Sequence, residues 1–188
     1  VWYWAGPDLI QDAAKAVALM DYPCVGERLL VVTNGGGMAV AASDQAQRDG
    51  FVMPRVPEEA RKKLDAAFPP FFGRNNPIDL TGSGRNEDYY TALKEALPLY
   101  DAAIVIVLMG ATTVTEEATE LIARACHEAK KPVVCCMLQG LGYTQEAMHT
   151  LLKLGIPVYP SPERAVRALA ALRQATCRKI QAEPRDRV

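Results

Sequence analysis

The run Thr33-Asn34-Gly35-Gly36-Gly37 is the part of the 188-residue sequence whose residue types best suit ligand binding. It follows the apolar run Leu29–Thr33 and precedes an alanine-rich segment, a pattern that predicts a strand, a tight turn and a helix. Glycine lets backbone N–H groups come close to a ligand, and a helix N-terminus adds unpaired donors and the positive end of the helix dipole. The pattern predicts a phosphate or carboxylate site at Asn34, Gly35, Gly36 and Gly37, and a plain glycine-rich turn is the alternative.

A second polar stretch, Asn75–Gly84, also ends an apolar run. It contains Asp79 inside the expected strand and a turn rich in hydrogen-bond donors directly after it. A carboxylate in an apolar strand is costly unless it is paired or exposed at a site. A functional Asp79 and an Asp79 that only caps the neighbouring loop are both compatible with the sequence.

Two further turns follow the most apolar runs, at Met109–Thr113 and Gln139–Gly142. If the strands are parallel, all four turns lie at one edge of the sheet, where ligands of open α/β sheets bind. Each turn is weak evidence by itself, and the prediction of a site depends on their convergence.

The usual catalytic groups are absent or poorly placed. His127 and His149 fall inside predicted helices, and Cys135-Cys136 falls in a predicted buried strand, where thiols are inert. No nucleophile elbow, zinc-binding helix motif or carboxylate-rich metal motif is present. We therefore expect no catalytic residue and no metal site in this chain.

Composition excludes several classes of protein. The 21 Lys and Arg residues balance 22 Asp and Glu residues, so a nucleic-acid binder is not expected. No apolar run reaches the roughly 18 residues that a membrane span needs. Five cysteines without a CxxC pair favour a reducing compartment over a disulfide or zinc framework, and we expect a cytoplasmic protein.

Apolar runs and helix signals alternate along the chain, which predicts an α/β three-layer sandwich with a mostly parallel sheet of about five strands. A flavodoxin-like strand order fits the length better than a dinucleotide-binding order. Six apolar runs are strand candidates: Leu29–Thr33, Phe51–Met53, Ile78–Thr81, Ala102–Met109, Pro132–Leu138 and Pro157–Tyr159.

Local signals also predict the helices and their ends. Asn86, Thr113 and Thr144 are predicted N-caps, and Ser161-Pro162-Glu163 is predicted to open the last helix. Val56, Ala60, Leu64 and Phe68 share one helix face, with Pro57 at the first position. An upstream helix, Asp8–Met20, is expected to bury Leu9, Ala13 and Val17.

Three segments are expected. Residues 28–176 form the flavodoxin-like domain, and residues 177–188 form a polar tail or linker. Residues 1–27 are interpreted as a remnant of a preceding domain plus a linker, because the sequence starts without Met and with a stranded helix.

Five motifs, in order, make residues 28–173 resemble the ligase domain of the NDP-forming acyl-CoA synthetases. This family includes the ADP-forming acetyl-CoA synthetases and is related to succinyl-CoA synthetase. The motifs are TNGGG at 33–37, NPIDLTG at 76–82, KPVV at 131–134, GIPVY at 155–159 and SPERAVRAL at 161–169.

The resemblance implies a role in phosphoryl transfer. Complete members of the family use CoA, ATP or ADP and Mg²⁺, and they pass through an acyl phosphate and a phosphohistidine. Asn34, Gly35, Gly36 and Gly37 would form the helix start that helps to hold the phosphate, and Gly110 would lie in the neighbouring loop near the acyl-phosphate site. Asn76, Asp79, Thr81 and Gly82 match the second signature, and no cofactor is expected to bind this domain alone.

The phosphohistidine loop, the Rossmann fingerprint and the ATP-grasp module of the family do not occur in these 188 residues. The chain is therefore expected to be inactive alone. It would work with CoA-binding, phosphohistidine and ATP-grasp domains, in cis or in a partner subunit, on a small acid or acyl-CoA. The alternative is a non-catalytic module that senses an acyl-CoA or an acid, for example fused to a protein acetyltransferase. A flavin binder is disfavoured, since the first turn has no hydroxyl-rich phosphate loop.

Overall fold

Strands and helices alternate through the part of the chain that the computed structural model describes, which is residues 7–20, 22, 25–109, 113–138 and 142–182. The elements are α1 (Pro7–Leu19), β1 (Leu29–Thr33), α2 (Gly36–Arg48), α3 (Glu58–Ala67), β2 (Ile78–Asp79), α4 (Asn86–Ala96), β3 (Ala102–Leu108), α5 (Glu117–Ala129), β4 (Val133–Leu138), α6 (Gly142–Lys153), β5 (Val158–Tyr159) and α7 (Pro162–Ala182). A short 3₁₀ turn, Leu97–Leu99, follows α4.

The five strands form one parallel sheet in the order β2-β1-β3-β4-β5. This order is the flavodoxin-like arrangement, so the predicted fold class is confirmed. Every residue of β1 is buried, as are the first six of β3, because helices cover both faces of the sheet. In the register, Thr33 pairs with Asp79 and with Ile106, which brings the two candidate stretches together at one edge.

The predicted strand Phe51–Met53 is wrong. Only Val52 forms a bridge, with Arg28, and the segment does not join the sheet as a strand. The run is interrupted on both sides, because Gly50 has a φ of 75° and Pro54 has no N–H to donate to a ladder. Val52 is 46% exposed and therefore lies at the margin of the core.

Two hydrophobic clusters lie on the two faces of the sheet, because successive strand residues point to opposite sides. Helices α2 and α7 cover one face, with α1 packed against α7, and α4 and α5 cover the other face, flanked by α3 and α6. Leu30 and Val32 of β1 face the α4 side, whereas Leu29 and Val31 face the α7 side.

Several helix ends differ from the predictions. Pro57 precedes α3 as its N-cap, although the predicted face of that helix is buried. Asn86 is the first residue of α4 and Thr144 lies inside α6, so neither is an N-cap. Thr113 precedes α5 by several residues and donates to the Gly84 carbonyl (2.6 Å). Ser161 does cap α7, since its hydroxyl accepts from the Arg164 N–H.

Helix α1 forms as predicted, but its predicted buried face is only partly right. Ala13 is buried as predicted, whereas Val17 is 49% exposed, and Asp12 and Ala16 are buried as well. The reason is an ion pair across 152 residues: Arg164 of α7 donates Nε to Asp12 Oδ2 (2.6 Å) and Nη2 to Oδ1 (2.9 Å). A buried carboxylate that is paired in this way turns the helix from the orientation that its apolar residues predict.

Candidate functional site

The turn from β1 into α2 lies at the carboxyl edge of the sheet. Gly35 is the N-cap of α2 in an extended conformation, and no side chain caps the helix. The first N–H groups of a helix have no partner within the helix, so this end leaves backbone donors for a ligand. Gly36 and Gly37 are exposed to solvent at the same point.

The three consecutive glycines differ in the space that a side chain would find at each position. A Cβ on Gly35 would lie 2.4 Å from Leu108 Cδ1, and a Cβ on Gly36 would lie 2.9 Å from Asp79 Oδ2. A Cβ on Gly37 would meet no atom within 4 Å. The first two glycines therefore allow close packing inside the domain, whereas the third leaves open space at the start of α2.

Asn34 is only 3% exposed, and its side-chain amide pairs with the backbone of β3. The amide Oδ1 accepts from the Leu108 N–H (2.8 Å), and Nδ2 donates to the Leu108 carbonyl (3.2 Å). The structure thus places the Asn34 side chain between the ends of β1 and β3. The backbone of the following glycines, and not this side chain, faces the open edge.

Asp79 ends β2 beside the start of α2. Its Oδ1 accepts from the Thr81 N–H (2.8 Å), and Thr81 has a left-handed φ of 55°. Asp79 therefore stabilises the turn that follows it, as an aspartate in this position commonly does. Its other oxygen, Oδ2, lies against Gly36, so the same side chain also reaches the candidate site. Gly82 lies exposed in the turn.

The Asn76 side chain lies elsewhere. Its Nδ2 donates to the Leu29 carbonyl (2.7 Å) and its Oδ1 accepts from the Val31 N–H (3.0 Å). These bonds pair the amide with β1 near the amino end of that strand, away from the carboxyl edge. The residues of the second signature therefore lie in two places. Asn76 pairs with β1 near its amino end. Asp79 lies beside α2, and Thr81 and Gly82 follow it in the next turn.

The third and fourth turns are only partly visible. Gly110 lies outside the described residues, as do Gln139–Leu141. Met109, directly before Gly110, is buried and donates its N–H to the Leu138 carbonyl (3.1 Å). The β3 and β4 ends are thus held side by side at the edge where α2 begins.

Comparison with known proteins identifies the family of this chain. The model of the Ligase-CoA domain matches residues 29–181, which is most of the chain. The chain belongs to the Ligase-CoA domain family. It is 36% identical over 165 residues to the alpha subunit of the ADP-forming acetate–CoA ligase I of Pyrococcus furiosus, covering 86% of this chain and 35% of that subunit.

Two further proteins similar to this Ligase-CoA domain are also acetate–CoA ligases or acetyl-CoA synthetases. The alpha subunit of the ADP-forming acetate–CoA ligase II of Pyrococcus furiosus is 35% identical over 156 residues, covering 79% of this chain and 34% of that subunit. The solved dinucleotide-forming acetyl-coenzyme A synthetase 1 of Candidatus Korarchaeum cryptofilum, in complex with phosphate and ADP, superposes with a TM-score of 0.83 at 31% identity. It covers 97% of this chain and 40% of that chain. The Ligase-CoA domain thus spans about a third of the length of the curated relatives.

Sequence reasoning missed Tyr89 of α4, which contacts β3 near the end of β1 from the α4 side of the sheet. Its hydroxyl donates to the Ile106 carbonyl (3.3 Å) in β3. Burial raises the pKa of the Tyr89 phenol well above its usual value. The spacing of Tyr89 with Ala92, Leu93 and Ala96 on one face of α4 was the available signal.

As predicted, His127 and His149 lie on helices, and Cys135 and Cys136 lie buried in β4. His127 Nε2 lies 3.1 Å from the Leu154 carbonyl, between α5 and the end of α6, and His149 is exposed on α6. Burial raises the pKa of Cys136 to about 12, and that of Cys135 well above its usual value. These thiols are therefore protonated at neutral pH and poor nucleophiles.

Among the helices that the structure describes, none combines the length and the apolar character that a membrane crossing requires. Within residues 7–20, 22, 25–109, 113–138 and 142–182, no three His, Cys, Asp or Glu side chains gather in a way that could hold a metal ion. At the carboxyl edge, the described residues offer the exposed main chain of Gly36 and Gly37, with the Asp79 carboxylate beside it.

Proposed function

We propose that this Ligase-CoA domain is one domain of an ADP-forming acyl-CoA synthetase, in which it holds a phosphoryl or acyl-phosphate group at the N-terminus of α2. The observation that carries the proposal is the uncapped start of α2, with exposed Gly36 and Gly37 at the carboxyl edge of the sheet. The names of the relatives support the reaction class, since two are ADP-forming acetate–CoA ligases. They favour a ligase over the sensing module considered above.

The proposed mechanism is electrostatic. Backbone N–H groups of the first turn of α2 and the positive end of its dipole would stabilise negative charge on the transferred group. Asn34 and Gly35 lead into that turn and Gly36 and Gly37 begin it. Asp79 lies beside it, and Thr81 and Gly82 follow Asp79 in the next turn. Gly110 would contribute from the loop after β3, and Asn76 would support β1 near its amino end.

The covalent steps would belong to other domains. These other domains would be a CoA-binding domain, a phosphohistidine domain and an ATP-grasp module, in the same polypeptide or in a partner subunit. CoA, ATP or ADP and Mg²⁺ would be used by the complete enzyme on a small acid or its acyl-CoA, in the cytoplasm. The chain alone would bind phosphate and would turn over no substrate.

The proposed domain boundaries are residues 28–176 for the ligase domain, with 1–27 belonging to a preceding domain and its linker and 177–188 to a tail or linker. Exposed apolar side chains on α1 support a further contact in a longer protein. Ile10 is 58% exposed and Val17 is 49% exposed, and the two side chains lie seven residues apart on one face of α1.

The test is a titration of the ¹⁵N-labelled 188-residue chain with inorganic phosphate, followed by amide chemical shifts, with chloride at equal ionic strength as the control. We expect saturable, phosphate-specific shifts centred on Gly36 and Gly37. The same chain is then assayed for ATP formation from acetyl-CoA, phosphate and ADP, and we expect none. Equal shifts with chloride would refute the anion site, and ATP formation by the chain alone would refute the division of labour.

A further inference from the structure

We infer that Asn34 and Tyr89 are positioning residues, which act through the backbone of the β1–α2 turn and do not contact the ligand. The inference rests on the proposed anion site at the start of α2. It changes the role of Asn34, whose residue type and place in the sequence suggest a direct contact with the ligand.

The first observation is that the Asn34 amide replaces a peptide group in the sheet. Backbone pairing between β1 and β3 ends with Thr33 opposite Ile106. The next bonds are made by the Asn34 side chain, which accepts from the Leu108 N–H and donates to the Leu108 carbonyl. The amide therefore continues the ladder beyond the end of β1 and holds the turn to β3, and with only 3% of Asn34 exposed it is buried away from a ligand at the surface.

The second observation is that Tyr89 of α4 supports the end of β1 from the face of the sheet that α2 does not cover. Its side chain is fully buried, so the hydroxyl cannot reach a ligand at the surface. The hydroxyl donates to the Ile106 carbonyl (3.3 Å), and Ile106 pairs with Thr33, the last residue of β1. Tyr89 thus holds the β3 residue that lies beside the start of the turn.

The third observation is the close contact of Gly35 with Leu108. A methyl group on residue 35 would lie 2.4 Å from Leu108 Cδ1, so the N-cap of α2 lies directly on the residue that the Asn34 amide holds. Three contacts therefore define where α2 begins relative to β3. A donor group that is misplaced by a fraction of an ångström loses hydrogen-bond strength, so these buried contacts control the anion affinity.

The principal test compares Tyr89→Phe with Tyr100→Phe in the 188-residue chain. Each change removes one buried hydroxyl that donates to a backbone carbonyl, at Ile106 and at Pro54 respectively. We expect Tyr89→Phe to weaken phosphate binding by about 3- to 10-fold, the value of one hydrogen bond, and Tyr100→Phe to change it by less than about 2-fold. A merely structural role predicts equal losses of thermal stability in both variants and equal phosphate affinities.

A second pair of variants tests the same role in case Tyr89→Phe does not fold. Asn34→Ala and Asn86→Ala each remove a buried amide that accepts from a backbone N–H, at Leu108 and at Thr115 respectively. We expect weaker phosphate binding only for Asn34→Ala, together with altered amide shifts of Gly35 and Leu108 in the ligand-free protein. If the wild-type chain shows no phosphate-specific shifts, the proposed function fails. If it binds phosphate and Tyr89→Phe and Asn34→Ala bind it equally well, the positioning role fails alone.

Discussion

Substituting the second and third glycines of the β1–α2 turn by alanine, one at a time, separates packing from ligand binding. Both residues lie in the first turn of α2, and neither has a φ in the left-handed region. The two sites differ in their surroundings, since a methyl group on Gly37 enters open space and one on Gly36 lies 2.9 Å from Asp79 Oδ2. We therefore expect effects of opposite sign on stability.

The magnitudes follow from this geometry. Gly37→Ala lowers the conformational entropy of the unfolded chain without a steric cost, which stabilises the folded state by about 0.4–1 kcal/mol. For a chain of this length the melting temperature rises by about 1–4 °C. Gly36→Ala makes the same entropic gain, but it forces a move of Asp79, whose Oδ1 holds the Thr81 turn. Such overpacking costs about 1–3 kcal/mol, so the net effect is destabilising.

The assay is urea unfolding followed by far-ultraviolet circular dichroism, with phosphate affinity measured on each folded variant. We expect the m-value to stay constant, so that the midpoints report stability. Gly37→Ala should be more stable than the wild type and bind phosphate more weakly, because the methyl group occupies space beside the donors. A Gly37→Ala variant that is destabilised as much as Gly36→Ala would refute the reasoning about open space.

Three further predictions concern charged residues. Asp12→Ala should lower the free energy of unfolding by about 3 kcal/mol, measured by urea unfolding, because it leaves Arg164, which is 34% exposed, without its buried partner. Hydrogen bonds from Arg28 lower the pKa of Asp101 below 3.8, so the stability difference between wild type and Asp101→Asn should be full above pH 3.8 and vanish as the pH falls through the lowered value. Asp79→Asn keeps the oxygen that accepts from the Thr81 N–H but removes a charge, and calorimetry at low salt should show phosphate affinity raised about 3-fold.

The topology was predictable because its evidence is local. Continuous apolar runs such as Ala102–Leu108 mark strands that are covered on both faces, and their alternation with helix signals leaves few arrangements for a parallel sheet. The glycine run was recognisable for the same reason, since its position between a strand and a helix is written in neighbouring residues.

The features that local patterns do not reveal depend on partners far away in the sequence. The buried face of α1 is set by the pairing of Asp12 with Arg164, which no periodicity within the helix can indicate. Asn34 and Asn76 have the same residue type as many ligand contacts, yet each amide pairs with the backbone of a strand. Such roles become visible only when the strand register is known, because they substitute for peptide groups of the sheet.

The position of Asp79 explains why a domain of this kind would bind an anion weakly by itself. Its Oδ2 lies against Gly36, where the positive end of the α2 dipole stabilises a carboxylate. A phosphoryl group held by the first turn of α2 would approach the same donors and would meet the negative charge of Asp79. Both negative charges can be accommodated when a cation is nearby. Tight binding would therefore require positive charge from outside this domain, and the site would be complete only when the other parts of a synthetase close over α2.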